Sequence, residues 1–398
     1  MNFLKGYFDE KFKEGFLSLY GAQAVLMIAS GFLGIFVPLF LFDLFDGDVR
    51  WVVFFFGITS FLYALTVSFG AMFLNKFGFR NALRVSLLLG ALWYVIIYFV
   101  DKGNYFYLTP VLVIVLVLFR IFHWVPYHTD FAKFSNDGDR AKQLSFFDIT
   151  RNLLAGLLPI LSGFIILKYG FDVVFAIGVV LYLLAGLFFL KIPKTKERFD
   201  WGYRESWQEL LSVKNRSGFF AFMADGAEAM VGLVVWPIFM FQLLGGNYFE
   251  VGYVSALIIL GTMVLQFILG GKLDRGGNRE KKRALKMGTL LYSLGWVIKI
   301  FVLTAFHIFV VGVYHNVMKI FARTSFDTMF YDIVASKRHY VDEFTVLHEM
   351  AVHLGKALSG VIIIIMASFL PLQWVFLLGA LASVIMTLLR KDYSYNQI

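Results

Sequence analysis

The sequence predicts an all-α integral membrane protein: twelve transmembrane helices in two six-helix bundles related by pseudo-twofold symmetry. Three observations predict it. The 398 residues are 59% hydrophobic and only 16% charged, against roughly 45–50% and about 25% in soluble domains. Apolar stretches of the length that crosses a bilayer recur along the whole chain. The cations between those stretches fall almost wholly on one side. With 47 Phe and only 7 Pro the chain is too apolar for disorder, and its zero cysteines exclude disulfides, thiolate metal sites and thiol catalysis.

The expected spans are 17–42, 51–74, 82–100, 107–130, 146–167, 171–190, 217–243, 249–270, 284–304, 306–329, 344–369 and 371–389. Each is far longer than the ~10 residues of a barrel strand. Segment 1–16, with Phe3, Leu4, Tyr7, Phe8 and Phe12 among charges, reads as an interfacial helix. The first span exceeds a signal-peptide core, so no cleavable signal is expected. The domains follow: an N-terminal bundle 17–190, a polar linker 191–216, a C-terminal bundle 217–390 and a tail 391–398. Within the linker, Tyr203–Leu211 has the composition of an amphipathic helix lying on the membrane.

Most of the 36 Lys and Arg lie in the N-tail, the connections after even-numbered spans and the C-tail, whereas the opposite side carries Arg50, Lys102 and Lys168. The positive-inside rule therefore puts both termini in the cytoplasm, with a bacterial inner membrane as the expected location. The net charge of +9 is a topology signal and does not point to nucleic acid.

The halves repeat each other. Asp130 and Asp327 each end a span on the cytoplasmic side. Each is followed at the same distances by a cation (Arg140, Lys337) and by a Ser-Gly pair (Ser162-Gly163, Ser359-Gly360). Asn75-Lys76-Phe77-Gly78 after span 2 matches Asp274-Arg275-Gly276-Gly277 after span 8. The offsets, 197 and 199, agree. Duplicated six-span halves related by an axis along the membrane normal are a transporter architecture.

At these residues the chain resembles the major facilitator superfamily, whose cytoplasmic signature G-x-x-x-D-R-x-G-basic-basic joins spans 2 and 3 and often recurs between spans 8 and 9. The second copy here has Gly270, Asp274, Arg275, Gly277 and Arg279; the first has Ala71 and Asn75 in place of Gly and Asp, but keeps Lys76, Gly78 and Arg80. The resemblance implies a latch that docks on neighbouring helix ends, and Asn75 cannot supply its anionic part. It also implies an embedded Arg at Arg120 and, through Leu158–Gly163, a partial antiporter motif in span 5. Spans 1, 4, 7 and 10 would line the cavity, and spans 3, 6, 9 and 12 would face lipid.

Charges inside the spans fit that grouping. An embedded ionisable group costs roughly 2.5–3.5 kcal/mol, so it faces a cavity or a partner. Span 4 has Arg120, span 5 Asp148 and Arg151, span 7 Asp225 and Glu228, span 10 Lys319, Arg323 and Asp327, and span 11 Glu349 and Lys356. Span 9 has in its interior only Lys299, about one turn from its outer end, where it can snorkel. His315, Lys319, Arg323 and Asp327 form one stripe; Arg120, His123, Tyr127 and Asp130 form another. The plainer reading of Arg323–Asp327 and Asp148–Arg151 is structural ion pairing, and of Asp130 and Asp327 helix capping or latching.

Arg120, His123, Tyr127, Lys319, Arg323 and Lys356 are the expected solute-binding residues. Asp225, Glu228 and Glu349 are the candidate proton carriers, since a carboxyl group shielded from water readily takes a proton. The latch set is Asn75, Lys76, Gly78, Arg80, Asp130, Arg140, Asp148, Arg151, Asp274, Arg275, Gly277 and Asp327. His348 and His353 stand five apart and diverge by about 140° on a helix, which excludes a His-Glu-x-x-His zinc site. No phosphate-binding loop is present.

The expected function is secondary active transport of a small organic anion or polar metabolite by alternating access, coupled to protons. On this reading Lys319→Ala abolishes anion transport. Two alternatives stand. One is proton-driven export of amphipathic drugs or lysolipids, pointed to by the Phe-rich spans, Trp236 and Phe239. The other is a receptor or enzyme scaffold. The expected partners are the solute, protons and the lipid bilayer, with no cofactor, metal or nucleic acid, and one chain suffices as a monomer.

Overall fold

The computed structural model describes residues 10–134, 140–192, 199–270, 278–336 and 341–389. Among the described residues every regular element is helical. Span 1 is Glu10–Leu33 continued by Phe36–Leu44; spans 2 to 6 are Val49–Phe77, Phe79–Tyr98, Tyr105–Phe134, Arg140–Tyr169 and Phe171–Phe189. Span 7 runs as Arg216–Met230, Val231–Val235 and Trp236–Leu243. Spans 8 to 11 are Tyr248–Gly270, Asn278–Lys299, Ala305–Ser336 and Val341–Phe369. Span 12 runs from Leu372 to Leu388 through Phe376–Ile385. Eight of these helices are long and apolar enough to cross a membrane alone, and the bent halves of span 1 make a ninth. Spans 5 and 12 contribute the shorter apolar helices Leu153–Tyr169 and Leu372–Leu388.

The packing carries the twofold relation. In the first half, spans 1–5, 1–6, 2–4, 3–4 and 3–6 pack together; in the second, 7–11, 7–12, 8–10, 9–10 and 9–12 do so. Each pair is the six-span shift of its counterpart. The halves meet mainly through spans 2–11 and 5–8, which the same shift exchanges. The repeated Ser-Gly pairs sit at these seams. A Cβ on Gly163 would lie 2.7 Å from the Tyr248 carbonyl oxygen of span 8, and one on Gly360 would lie 3.6 Å from Gly57 Cα of span 2.

Proline breaks both leading spans at matched places. Pro38 cannot donate to the Gly34 carbonyl, and its ring crowds that turn; span 1 bends there by 42°. Pro237, at the 199 offset, follows the wide π turn Val231–Val235 in span 7, which absorbs the same clash. Both spans then end alike. Asp46 and Gly47 take positive φ (53° and 78°), as do Gly245 and Gly246 (66° and 78°). The Gly47 N–H donates to the Phe42 carbonyl at 2.8 Å and the Gly246 N–H to that of Phe241 at 2.9 Å, the same helix-ending bond. Asp48 then caps span 2 and Asn247 caps span 8, each accepting from a backbone N–H two residues on (2.9 and 3.0 Å).

The side of the bundle bearing the linker differs from a free tether. Helix Tyr203–Leu210 is docked on protein, with Ser206 and Leu210 buried. Ser68 and Ser206 hydroxyls share a 2.7 Å hydrogen bond, and Tyr203 stacks on Phe69 with ring centroids 4.0 Å apart. The Asp200 N–H donates to Glu343 Oε1 of span 11 at 2.9 Å. The expected interfacial helix over 1–16 lies mostly outside the described residues, whose first helix starts at Glu10.

Candidate functional site

Spans 7 and 10 are tied by two ion pairs across the C-terminal bundle. Lys319 Nζ lies 3.3 Å from Glu228 Oε1, and the Tyr292 hydroxyl of span 9 donates to the same carboxylate. Asp225 accepts a two-pronged bond from the Arg323 guanidinium, whose Nε also lies 3.1 Å from Asp327. The acids are sequestered, Glu228 at 2% exposure and Asp225 at 7%, while the Lys319 and Arg323 side chains keep 40% and 37%. The stripe on span 10 therefore turns its cations inward and anchors them on span 7. Arg323 makes the expected pair with Asp327 and a second, cross-helix one.

A second cluster joins the halves around Glu349 of span 11. Tyr63 of span 2, fully buried, donates to Glu349 Oε2 at 3.1 Å. His128 of span 4 lies 3.8 Å from Glu349 Oε1; His348 and His353 lie 3.6 and 3.8 Å from its oxygens. The Tyr63 and His353 rings meet edge to face at 4.6 Å. His348 and His353, which diverge around their helix, thus both reach the carboxylate that stands between them in sequence. Among the described residues no group of three or more His, Cys, Asp or Glu has metal-binding geometry.

Arg120 of span 4 and Lys356 of span 11 stand beside this cluster. Both interact electrostatically with Glu349 and with each other. Among the described residues neither has a carboxylate within 4 Å, and Arg120 Nη1 is buried with no hydrogen-bond partner. They are cations from opposite halves that no acid neutralises at contact distance.

Other expected residues lie elsewhere. His123, at 1% exposure, bonds Ser86 Oγ of span 3 through Nδ1 at 3.1 Å and lies between the Phe119 and Tyr127 rings. It belongs to the seam between spans 3 and 4, with Tyr127 stacked on it. Lys299 does not snorkel. It is 2% exposed, with Nζ 4.0 Å from the ring centres of both Trp236 and Trp296. Two desolvated cation–π contacts of about 2 kcal/mol each are of the size of the roughly 2.5–3.5 kcal/mol embedding cost, which removes the drive outward.

Of the expected latch, Gly78 ends span 2 and starts span 3 at φ +84°, a conformation open to glycine and strained for other residues. Asn75 holds the backbone of Phe199 in the linker with 2.8 Å bonds in both directions. Lys76 is exposed, and Arg80 Nε is buried without a hydrogen-bond partner among the described residues. Asp130 is fully buried and Arg151 is exposed. Asp274, Arg275 and Gly277 lie outside the described residues, as do the side chains of Arg140 and Asp148.

Sequence reasoning missed the linker contacts, the Trp236–Lys299–Trp296 sandwich and the matched break in spans 1 and 7. The last had a signal: Pro38 and Pro237 share the 199-residue offset of the signature motif.

The chain is similar in fold to solved transporter structures. A mutant of the peptide transporter POT in complex with alafosfalin superposes with TM-score 0.64 at 12% identity, over 94% of this chain and 93% of that one. A POT family transporter in complex with 5-aminolevulinic acid gives 0.66 at 11% identity, over 94% of each. A POT mutant in complex with sulfate gives 0.63 at 12%, over 94% and 93%. No protein of curated function matches the chain. The sequence profile described as Major Facilitator Superfamily matches residues 19–330, most of both bundles. With the twelve-span, two-bundle architecture this settles the family: the chain belongs to the major facilitator superfamily and is a multi-pass membrane transporter, not an enzyme.

Proposed function

We propose that this transporter moves a small organic anion by alternating access, with protons as the coupling ion. Arg120 and Lys356 carry the reading. Among the described residues each is an embedded cation with no carboxylate within 4 Å, and they stand on opposite halves. An anion between them neutralises both and joins the halves, so occupancy favours the rocking motion that an empty site resists. Lys319 and Arg323, expected in the same set, are held by Glu228 and Asp225. They serve the site as its second rank, and His123 and Tyr127 as its packing.

Glu349 is the better-supported proton carrier of the three candidates. It is ringed by three histidines and a tyrosine at the seam between halves, so a proton held there alters contacts made by both. The basic linker side is the cytoplasm on this reading, the membrane a bacterial inner membrane, and the monomer the working unit.

The test is uptake and counterflow of carboxylates in proteoliposomes with an imposed pH gradient. Arg120→Gln and Lys356→Gln should each lower anion affinity by about tenfold or more, a loss of about 1.4 kcal/mol or greater. Glu349→Gln should abolish gradient-driven uptake and keep counterflow. Carboxylate transport at full rate and affinity in both cation variants would sink the site; export of hydrophobic cations alone would replace the anion reading with the drug-export one.

A further inference from the structure

Resting on the anion reading above, we infer that the transported anion carries one apolar group of about the size of an aromatic ring, received by a pocket inside the N-terminal bundle. A cavity of about 200 Å³ opens there between spans 1, 2, 3, 4 and 6. Gly34, Trp93, Tyr94, Phe119, Arg120 and Tyr182 are among the residues that line it. On one side the wall is the break that Pro38 makes in span 1 at Gly34. On another, Gly90 lets the Tyr182 ring close on the backbone of span 3, where a Cβ would stand 2.1 Å from it.

The pocket is apolar except at defined points. Among the described residues Arg120, which lines it, has its buried Nη1 without a hydrogen-bond partner, and so has the buried Trp93 Nε1–H in its wall. Native structures rarely leave such donors unused. Arg120 also interacts electrostatically with Glu349 and Lys356 of the other half. One residue therefore borders both the apolar pocket and the central charges. A solute whose carboxylate meets Arg120 and Lys356 directs whatever is attached to it either back into the seam or into this pocket.

Volume sets the class. A dry apolar cavity of about 150 Å³ holds benzene, so the space here takes a single ring with a short connecting chain. It is too small for the acyl chain of a lysolipid. An arylalkyl carboxylate fits both the charge and the cavity; acetate and succinate satisfy the charge alone.

The test follows thermal stabilisation of the purified full-length protein by phenylacetate, 3-phenylpropionate, acetate, succinate and lysophosphatidate. The aryl carboxylates should bind about tenfold or more tightly than acetate and succinate. Leu116→Trp and Val37→Phe, which fill the pocket, should each bring the aryl carboxylates down to the affinity of acetate. Equal affinity for phenylacetate, acetate and succinate in the unaltered protein would overturn the inference and leave the anion reading standing. Stabilisation by none of the anions would overturn both. Tightest binding by lysophosphatidate, unmoved by either filling substitution, would overturn it in favour of a membrane amphiphile. The preference is read first in the unaltered protein, so a variant that fails to fold does not remove the test.

Discussion

Phe42 and Phe241 stand 199 residues apart in the chain, occupy the same place in their two halves, and meet edge to face with ring centroids 6.4 Å apart. They close the bundle on the side away from the linker, where span 1 packs on span 7. Beside them Tyr248 of span 8 donates to Asp43 of span 1. For alternating access this contact has to open, because it lies on the symmetry axis between the halves. The chain has no cysteine, so a Phe42→Cys/Phe241→Cys double variant carries the only thiols. Bridging them with a short bis-methanethiosulfonate reagent should stop transport, and reductant should restore it. Full transport with the bridge in place would show that this face stays shut through the cycle.

Asn75 accounts for a departure from the family signature. Its side-chain amide donates to the Phe199 carbonyl and accepts from the Phe199 N–H. A carboxylate at this position has no donor and would face the Phe199 carbonyl oxygen. The amide therefore ties the linker to span 2, while Glu343 ties Asp200 to span 11. Asn75→Asp should cost about 0.5–1.5 kcal/mol, the scale of a typical hydrogen bond, since these bonds are only partly buried. The loss should appear as faster hydrogen exchange over 199–210 and a lower melting temperature. Unchanged exchange in that segment would remove the anchoring role.

The spans were legible because hydropathy is a property of each stretch by itself, and the repeat was legible because offsets are. Partners were less so. Arg120, His123 and Tyr127 share a helical face by spacing, yet that face is wide enough to border both a neighbouring helix and the centre. Arg120 meets the pocket, and His123 bonds Ser86 of span 3. Spacing gave Arg323 its same-helix partner Asp327; the partner on span 7 depends on how helices pack, which no local pattern carries. Lys299 met the same limit at Trp236 of span 7, whereas Trp296 stands three residues before it on its own helix, within reach of spacing.

The Lys319–Glu228 pair predicts a non-additive result. Glu228 is 2% exposed, so removing Lys319 strands a carboxylate that, among the described residues, only Tyr292 then bonds. Breaking a fully buried pair costs about 3–5 kcal/mol; Lys319 is 40% exposed, which lowers the expectation for Lys319→Ala to about 1–3 kcal/mol. Lys319→Met/Glu228→Gln, which removes both charges, should recover most of the loss. Thermal unfolding of the two singles and the double reads the coupling directly. Additive losses would mean that the two side chains act independently.

Asp48 and Asn247 make the same cap in the two halves with different chemistry, and the difference predicts an acid-sensitive turn. The hydrogen-bonded Arg50 guanidinium holds Asp48 below the usual carboxylate range. A carboxyl group whose folded value is depressed contributes stability that is fully present above its unfolded value, about 3.9. That contribution is lost as pH falls through the folded value. Asn caps a helix as well as Asp does and does not titrate, as Asn247 shows at span 8. Asp48→Asn should therefore fall slightly below the wild type at pH 6, where the Arg50 pair is intact, and the gap should narrow as pH falls below about 3.9. The difference should be small, because the pair is solvent-exposed. Melting temperatures of both proteins across pH 3–6 check the sign, and a variant that gains on the wild type as pH rises would refute the assignment.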